Sequence, residues 1–596
     1  MALCFTYIPQ CFCIYSRTVI EKSVRIMTIQ SSLSSLGLKL ALLLSGTFVL
    51  SACDESVSTN LQLADQGVNP TYLVDESLSQ ANISNQALAV SHLSEAEQYL
   101  TTGEVYNPEA VIPPQCYTKT EGTNNPCYVC HQSYSAKELR PNAMNDGLIQ
   151  GAYIFSDVGV TNSWKNLFVD RTELIKSISD EEIMEYVNQD NYGLLEEQMK
   201  SSSWTNNIPY IKDLELGQEA FDEDGLAKDG SHWVAYNYKP FPSTFWPTNG
   251  STGDAMIRLG EAYRSINGEF SKDVYFANLA LVEMAMKDID SLSTSTIDEN
   301  KVGIDLNNDG HLTQIKQIKK QSHYVGDASD KPLTKMLFPE QTELLHTVRY
   351  LGVDENGETV IPKRMKEVRY MHKHMLRSRE SLLSSYYAER KEKHFEKLPR
   401  MVPAGDRGIA NGYGWTINGL IEDKQGQLRP QHQQELAFCN GCHRSVGSTI
   451  DQTFSFARKV EGKDGWGYIN LKSIKDVPSL GDKDGEFVTY LERVKGGDEF
   501  RQNQEMLAKW FTPNGKLNKE KVNALNNIHE LITPSKERAL KLNKAYRTIV
   551  AEQSYLFGRD VTLVEAKNVL KEVDESAVPI NEAQRYVYDL RLNWEQ

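Results

Sequence analysis

Two five-residue patterns constrain this 596-residue chain more than anything else in it: Cys127-Tyr128-Val129-Cys130-His131 and Cys439-Asn440-Gly441-Cys442-His443. In each, two thiols stand three positions apart and a histidine follows the second. On a helical turn that spacing brings both sulfurs to one side and places the imidazole next to them. Of the nine cysteines, Cys4, Cys11, Cys13 and Cys53 lie in the first 53 residues, and Cys116 is left over. Cys116 is expected to be a buried thiol, with pairing between chains as the alternative.

The start of the chain reads as an address. Lys39 precedes an apolar run, Leu40 to Leu50, that is too short to span a bilayer comfortably, and small residues follow. The ending Leu50-Ser51-Ala52-Cys53 resembles the bacterial lipobox, which implies that Cys53 is acylated and becomes the first mature residue. Met27 is the expected true start. Residues 54–95 are rich in Ser, Asn, Gln and Asp and read as a flexible tether. No second run is long and apolar enough for a polytopic membrane protein. With 80 Asp and Glu against 64 Lys and Arg, the net charge of −16 argues against nucleic acid as a partner.

C-x-x-C-H is the attachment pattern of c-type haem: the thiols add to the vinyl groups on one edge and the histidine becomes the proximal ligand. The chain resembles c-type cytochromes through these two motifs and the export signal. The resemblance implies two covalent haem c groups held by Cys127, Cys130, Cys439 and Cys442. It makes His131 and His443 the proximal iron ligands and places the protein in the periplasm or cell envelope. Zinc sites usually set their paired cysteines ~15–20 residues apart, whereas these motifs begin 312 residues apart. A thioredoxin-like dithiol needs a βαβ frame, which the flanking sequence lacks.

Distal ligands are sought among methionines and histidines. For the first haem Met144 and Met184 follow the motif, Met184 within ISDEEIMEYVNQ, a helix capped by Ser179 or Asp180. For the second, Met506 follows and His372 precedes. At 100° per residue, Met365, Val368, Met371, His372, Met375, Leu382 and Tyr386 share one face of a helix, which favours His372 over His374. Residues 363–400 hold twelve Lys or Arg against five Glu, a basic island suited to propionates or an acidic partner. In 305–313, Asp305, Asn307, Asp309, His311 and Thr313 around Gly310 resemble half of an EF-hand loop, with Lys316 where the family has a bidentate Glu. Calcium is the expected occupant and a plain Asx-rich turn the alternative. Asp222-Glu223-Asp224-Gly225 is a weaker version.

These readings predict a mainly α fold with cytochrome-c-like helical regions and long irregular loops. The expected divisions are a signal to residue 53, a tether over 54–95, a first haem region over 96–290, a calcium-loop linker over 291–335 and a helical second haem region over 336–596. The expected function is a lipid-anchored di-haem electron carrier serving periplasmic or membrane redox proteins, at the inner or outer membrane. One alternative is a peroxidase-like or oxygenase-like di-haem oxidoreductase with an open iron site. The other is a haem subunit of a membrane-bound redox complex.

Overall fold

The strand Met365–Lys373 is the spine of the molecule, hydrogen-bonded along both edges: Tyr370 sits opposite Leu345 on one side and Asn418 on the other. The computed structural model describes residues 93–134, 138–201, 207–243, 247–444, 446–495 and 503–595. In chain order the main sheet contains β1 (Val234–Ala235), β2 (Ala255–Arg258), β3 (Glu343–Arg349), β4 (Met365–Lys373), β5 (Val402–Pro403), β6 (Ile409–Ala410), β7 (Trp415–Glu422) and β8 (Leu428–Pro430). Their order in space is β1-β2-β3-β4-β7-β6-β5, with β8 also on β7. Every pairing is antiparallel. The sheet thus takes strands from both sides of the 291–335 segment.

This corrects the mainly α expectation. The helix expected from Met365 to Tyr386 is instead a strand, β4, followed by a helix that begins after its Ser378 cap. The reason is long-range charge pairing. β4 buries Lys366, Glu367 and Lys373 almost completely, which a helical wheel places on a wet face. Lys366 donates to the Gly250 carbonyl at 2.6 Å and lies 4.1 Å from the Tyr546 ring centre. Glu367 accepts from Arg369 at 3.0 Å and from Arg559 at 2.9 Å. Lys373 donates to Asp451 at 2.6 Å. Each charge is compensated where it is buried, the condition for burying it at all.

Four helices frame the core and the site: α1 (Lys272–Lys287), α2 (Arg379–His394), α3 (Cys439–His443) and α4 (Lys536–Glu552). α1 forms where its apolar run predicts a helix and is buried from Val274 to Lys287. Its Glu283 lies between Lys287 at 2.6 Å and Lys459 at 2.7 Å. α4 forms where ALKLNKAYRTIVAEQSYLF predicts a helix, and the Ser179-capped helix Asp180–Asn188 also forms as expected. Among the described residues no helix is long and apolar enough to cross a membrane.

Two outcomes are expected from these charges. Asp451→Ala strips Lys373 of its buried partner and should cost about 3–5 kcal/mol in chemical denaturation. His346, on β3, donates from Nδ1 to the Asp254 carbonyl at 2.8 Å, and burial holds its pKa down to about 4. The folded protein therefore takes up this proton only near pH 4, whereas the unfolded chain does so near 6.5. Stability should fall as pH drops between those values, by roughly 2–3 kcal/mol in all, and His346→Gln should flatten that part of the stability–pH curve.

Candidate functional site

The first motif is fixed by polar side chains on either side of it. Asn125 accepts the Tyr128 amide at 3.1 Å and so braces the turn Cys127–Val129 from just before it. The His131 amide donates to the Cys127 carbonyl at 2.8 Å, which closes the turn that gathers thiols and imidazole. Gln150 donates to the His131 carbonyl at 2.7 Å and to the Tyr586 carbonyl at 2.8 Å. Tyr128 is fully buried, edge-on to the Tyr586 and Tyr588 rings at 5.1 and 5.5 Å. The end of the chain therefore packs over the first motif.

The second motif is α3 itself. Asn411 donates to the His443 carbonyl at 2.9 Å. The His443 Nδ1–H donates to the Gln452 carbonyl at 2.7 Å. That carbonyl is presented by a turn in which Asp451 (φ 48°) and Gln452 (φ 59°) are both left-handed. Such backbone costs about 1–3 kcal/mol per residue and persists only where surroundings over-determine it. Here the Lys373–Asp451 pair on β4 does so, with the Phe338 amide donating to Asp451 at 2.9 Å and the Gln452 side-chain amide donating to the Tyr386 oxygen.

Far apart in sequence, the two motifs meet in space. The Ser448 amide donates to the Cys130 carbonyl at 3.1 Å. Asn142 Nδ2 lies 3.0–3.3 Å from the carbonyls of Val446, Gly447 and Thr449. The Gly447 amide donates to Asp146 at 3.2 Å, and the same carboxylate accepts from His131 Nδ1 at 2.9 Å. Cys127, Cys130 and His131 line one cavity with Gly441 and Cys442 of the second motif and with Cys116. Its empty space, open solvent at the mouth included, is about 980 Å³. Its other walls are largely apolar, among them Ile112, Tyr153, Phe155 and Leu398. A smaller cavity of about 430 Å³ flanks Phe438, the residue before Cys439, and is lined by Glu435, Arg559 and Asp560.

The electrostatics favour neutral ligands. Burial pushes the Cys127 and Cys442 thiols up to about 12, unlike the low-pKa cysteines of dithiol redox enzymes. Burial holds His443 down to about 4, so its imidazole is neutral. Both motif histidines donate from Nδ1, and neutral His443 keeps Nε2 as its lone-pair nitrogen, the state required of a metal ligand. Donor set, turn geometry and cavity suit a covalently held haem at the first motif; of the second, Gly441 and Cys442 reach that cavity, while Cys439 and His443 do not line it.

The remaining candidates lie elsewhere. Met184 packs beside Ile183 and Tyr186 in a separate core, and Met506 is buried with Trp510; neither lines the cavity. His372 is on β4, not on a helix, with Nε2 2.9 Å from Gln341 Oε1 in a cleft with Glu343, Tyr370 and Arg407. The loop 305–313 closes on its own amides. Asp305 accepts from Gly310 at 2.8 Å, Asn307 from Asp309 at 2.9 Å and Asp309 from His311 at 2.8 Å. The Thr313 amide donates to buried Glu299 at 3.0 Å. Among the described residues no group of three or more His, Cys, Asp or Glu is placed to hold a metal ion directly. Asp222 and Asp224 pair with Lys272. The basic island divides between buried β4 and α2, whose Lys393 reaches the cavity wall. Cys53, the signal and nearly all of the tether lie outside the described residues.

Sequence reading missed Asn125, Asn142, Asp146, Gln150, Asn411 and Gln452, the polar groups that hold the motifs. Only Asn125, two residues before Cys127, carried a local signal, that of an asparagine just ahead of a turn. The others act from positions set by tertiary contacts.

A family model described as a "-like lipoprotein" matches residues 100–530, a span that includes both motifs. An uncharacterized lipoprotein from Aquifex aeolicus (strain VF5) is 31% identical over 545 residues, covering 81% of this chain and 91% of that protein. No solved structure matches.

The packing of the second motif against the Val111 backbone can be tested at Gly441, where an added Cβ would come 2.3 Å from the Val111 carbonyl oxygen. Gly441→Ala should lower stability by about 1–3 kcal/mol, read as a drop in thermal midpoint.

Proposed function

The chain belongs to the lipoprotein family whose model it matches, and we propose that it is a lipid-anchored di-haem c-type cytochrome of the cell envelope whose base activity is electron transfer. Cys53 is the proposed acylated residue. The observation that supports this reading best is the meeting of two C-x-x-C-H turns at one largely apolar cavity, each histidine with Nδ1 already engaged.

In this reading Cys127 and Cys130 hold one haem through thioether bonds, and Cys439 and Cys442 hold the other. His131 and His443 supply proximal nitrogens. Bound haem supplies one-electron chemistry. The chain's own residues do the rest. Asn125 and Gln150 keep the first turn shut. Asn411 and the Asp451–Gln452 turn orient His443. The walls from Ile112 to Leu398 limit water, and limited solvent access is one of the levers that set a haem potential. The loops after the two motifs are bonded to each other, which supports two sites lying side by side, the arrangement an electron relay needs. Partners are redox proteins of the periplasm or membrane.

The test is denaturing mass spectrometry of the mature protein, with an alkaline pyridine absorption spectrum. The expected result is two haem groups retained after denaturation, one lost in Cys127→Ser/Cys130→Ser and the other in Cys439→Ser/Cys442→Ser. A mature mass equal to polypeptide plus lipid alone overturns the proposal.

A further inference from the structure

The two motif histidines are held by different kinds of acceptor. His443 donates to a neutral backbone carbonyl, that of Gln452, at 2.7 Å. His131 donates to the carboxylate of Asp146 at 2.9 Å. The carboxylate is nearly buried and cannot swing away, because its Oδ1 accepts the Gln132 amide at 3.2 Å and its Oδ2 the Gly447 amide at 3.2 Å. The fit at Gly447 is tight: a Cβ there would meet Asp146 Oδ1 at 2.0 Å. Arg369 adds a positive charge to the burial that holds His443 down.

A carboxylate on Nδ1–H draws the proton toward itself and makes Nε2 a stronger donor, whereas a carbonyl does so far less. A stronger proximal donor favours the oxidised metal and lowers its potential. We infer that Asp146 is a positioning residue that makes the two haem sites unequal, with the His131 site the lower in potential. The inference rests on the haem reading above and deepens it: the carboxylate sets a direction for electrons, from the His131 site toward the His443 site. Through Gly447 the same carboxylate also fixes the second motif's loop, so the asymmetry is built into the contact that joins the sites.

The experiment is an optical redox titration of the haem-loaded, full-length protein. Wild type should show two one-electron transitions. In Asp146→Asn the lower should move up while the upper stays, and Asp146→Glu, which keeps the charge, should remain close to wild type. Asn142→Ala loosens the same pair of loops without touching the carboxylate and should leave the lower potential in place. Single-haem variants give an independent arm should Asp146→Asn fail to fold: the protein lacking Cys439 and Cys442 should titrate below the one lacking Cys127 and Cys130. Unchanged potentials in haem-loaded Asp146→Asn, an equal shift in Asn142→Ala, or the reverse order of the single-haem variants overturns this inference alone. Wild type without covalent haem overturns the underlying reading as well.

Discussion

The buried pair between Lys373 and Asp451 is the constraint on which the second half of the site depends. Both side chains are essentially inaccessible to water, so neither charge is tolerable without the other. The pair joins the central strand to a turn whose two non-glycine residues sit in left-handed backbone. That turn presents one carbonyl oxygen, Gln452 O, to one ring nitrogen, His443 Nδ1. Strain, charge pairing and ligand orientation are therefore a single chain of cause running from β4 to α3. β4 itself can be a strand only because Lys366, Glu367 and Lys373 find partners contributed by distant segments.

The first half of the site is built differently, on loops rather than on the sheet. Asn125, Gln150 and the rings of Tyr586 and Tyr588 hold it from the flanks, and its link to the second half runs through Asn142 and Asp146. Irregular backbone of this kind must satisfy its amides and carbonyls one by one with side chains, which accounts for the buried Asn, Asp and Gln along it. The same groups give the two histidines unlike acceptors. One histidine rests on a carboxylate of a loop, the other on a carbonyl anchored to the sheet.

Legibility in the sequence follows the range of the interactions. Elements governed by local signals are readable: α1 from its apolar run, the helix Asp180–Asn188 from its serine cap, α4 from its periodicity. The stretch from Met365 reads wrongly as a helix because Met365, Val368, Met371 and His372 satisfy a helical period while the intervening charges look solvated. Only their partners at positions 250, 451 and 559 reveal burial. The EF-hand resemblance at 305–313 is a local signal too. Asp305, Asn307 and Asp309 have the expected spacing, and their oxygens accept from amides of their own loop.

What the sequence by itself determined is chemistry carried by short spacing: two thiols and an imidazole within five residues, twice, and an acylation-type cysteine behind an apolar run. Such signals survive because the residues involved are covalent neighbours. The tertiary structure alone decided that the two motifs meet at one cavity, that the middle of the chain is a sheet, and that a carboxylate faces one histidine and a carbonyl the other. Those outcomes depend on contacts between residues up to several hundred positions apart, whose free energy is expressed only when the whole chain has closed around them.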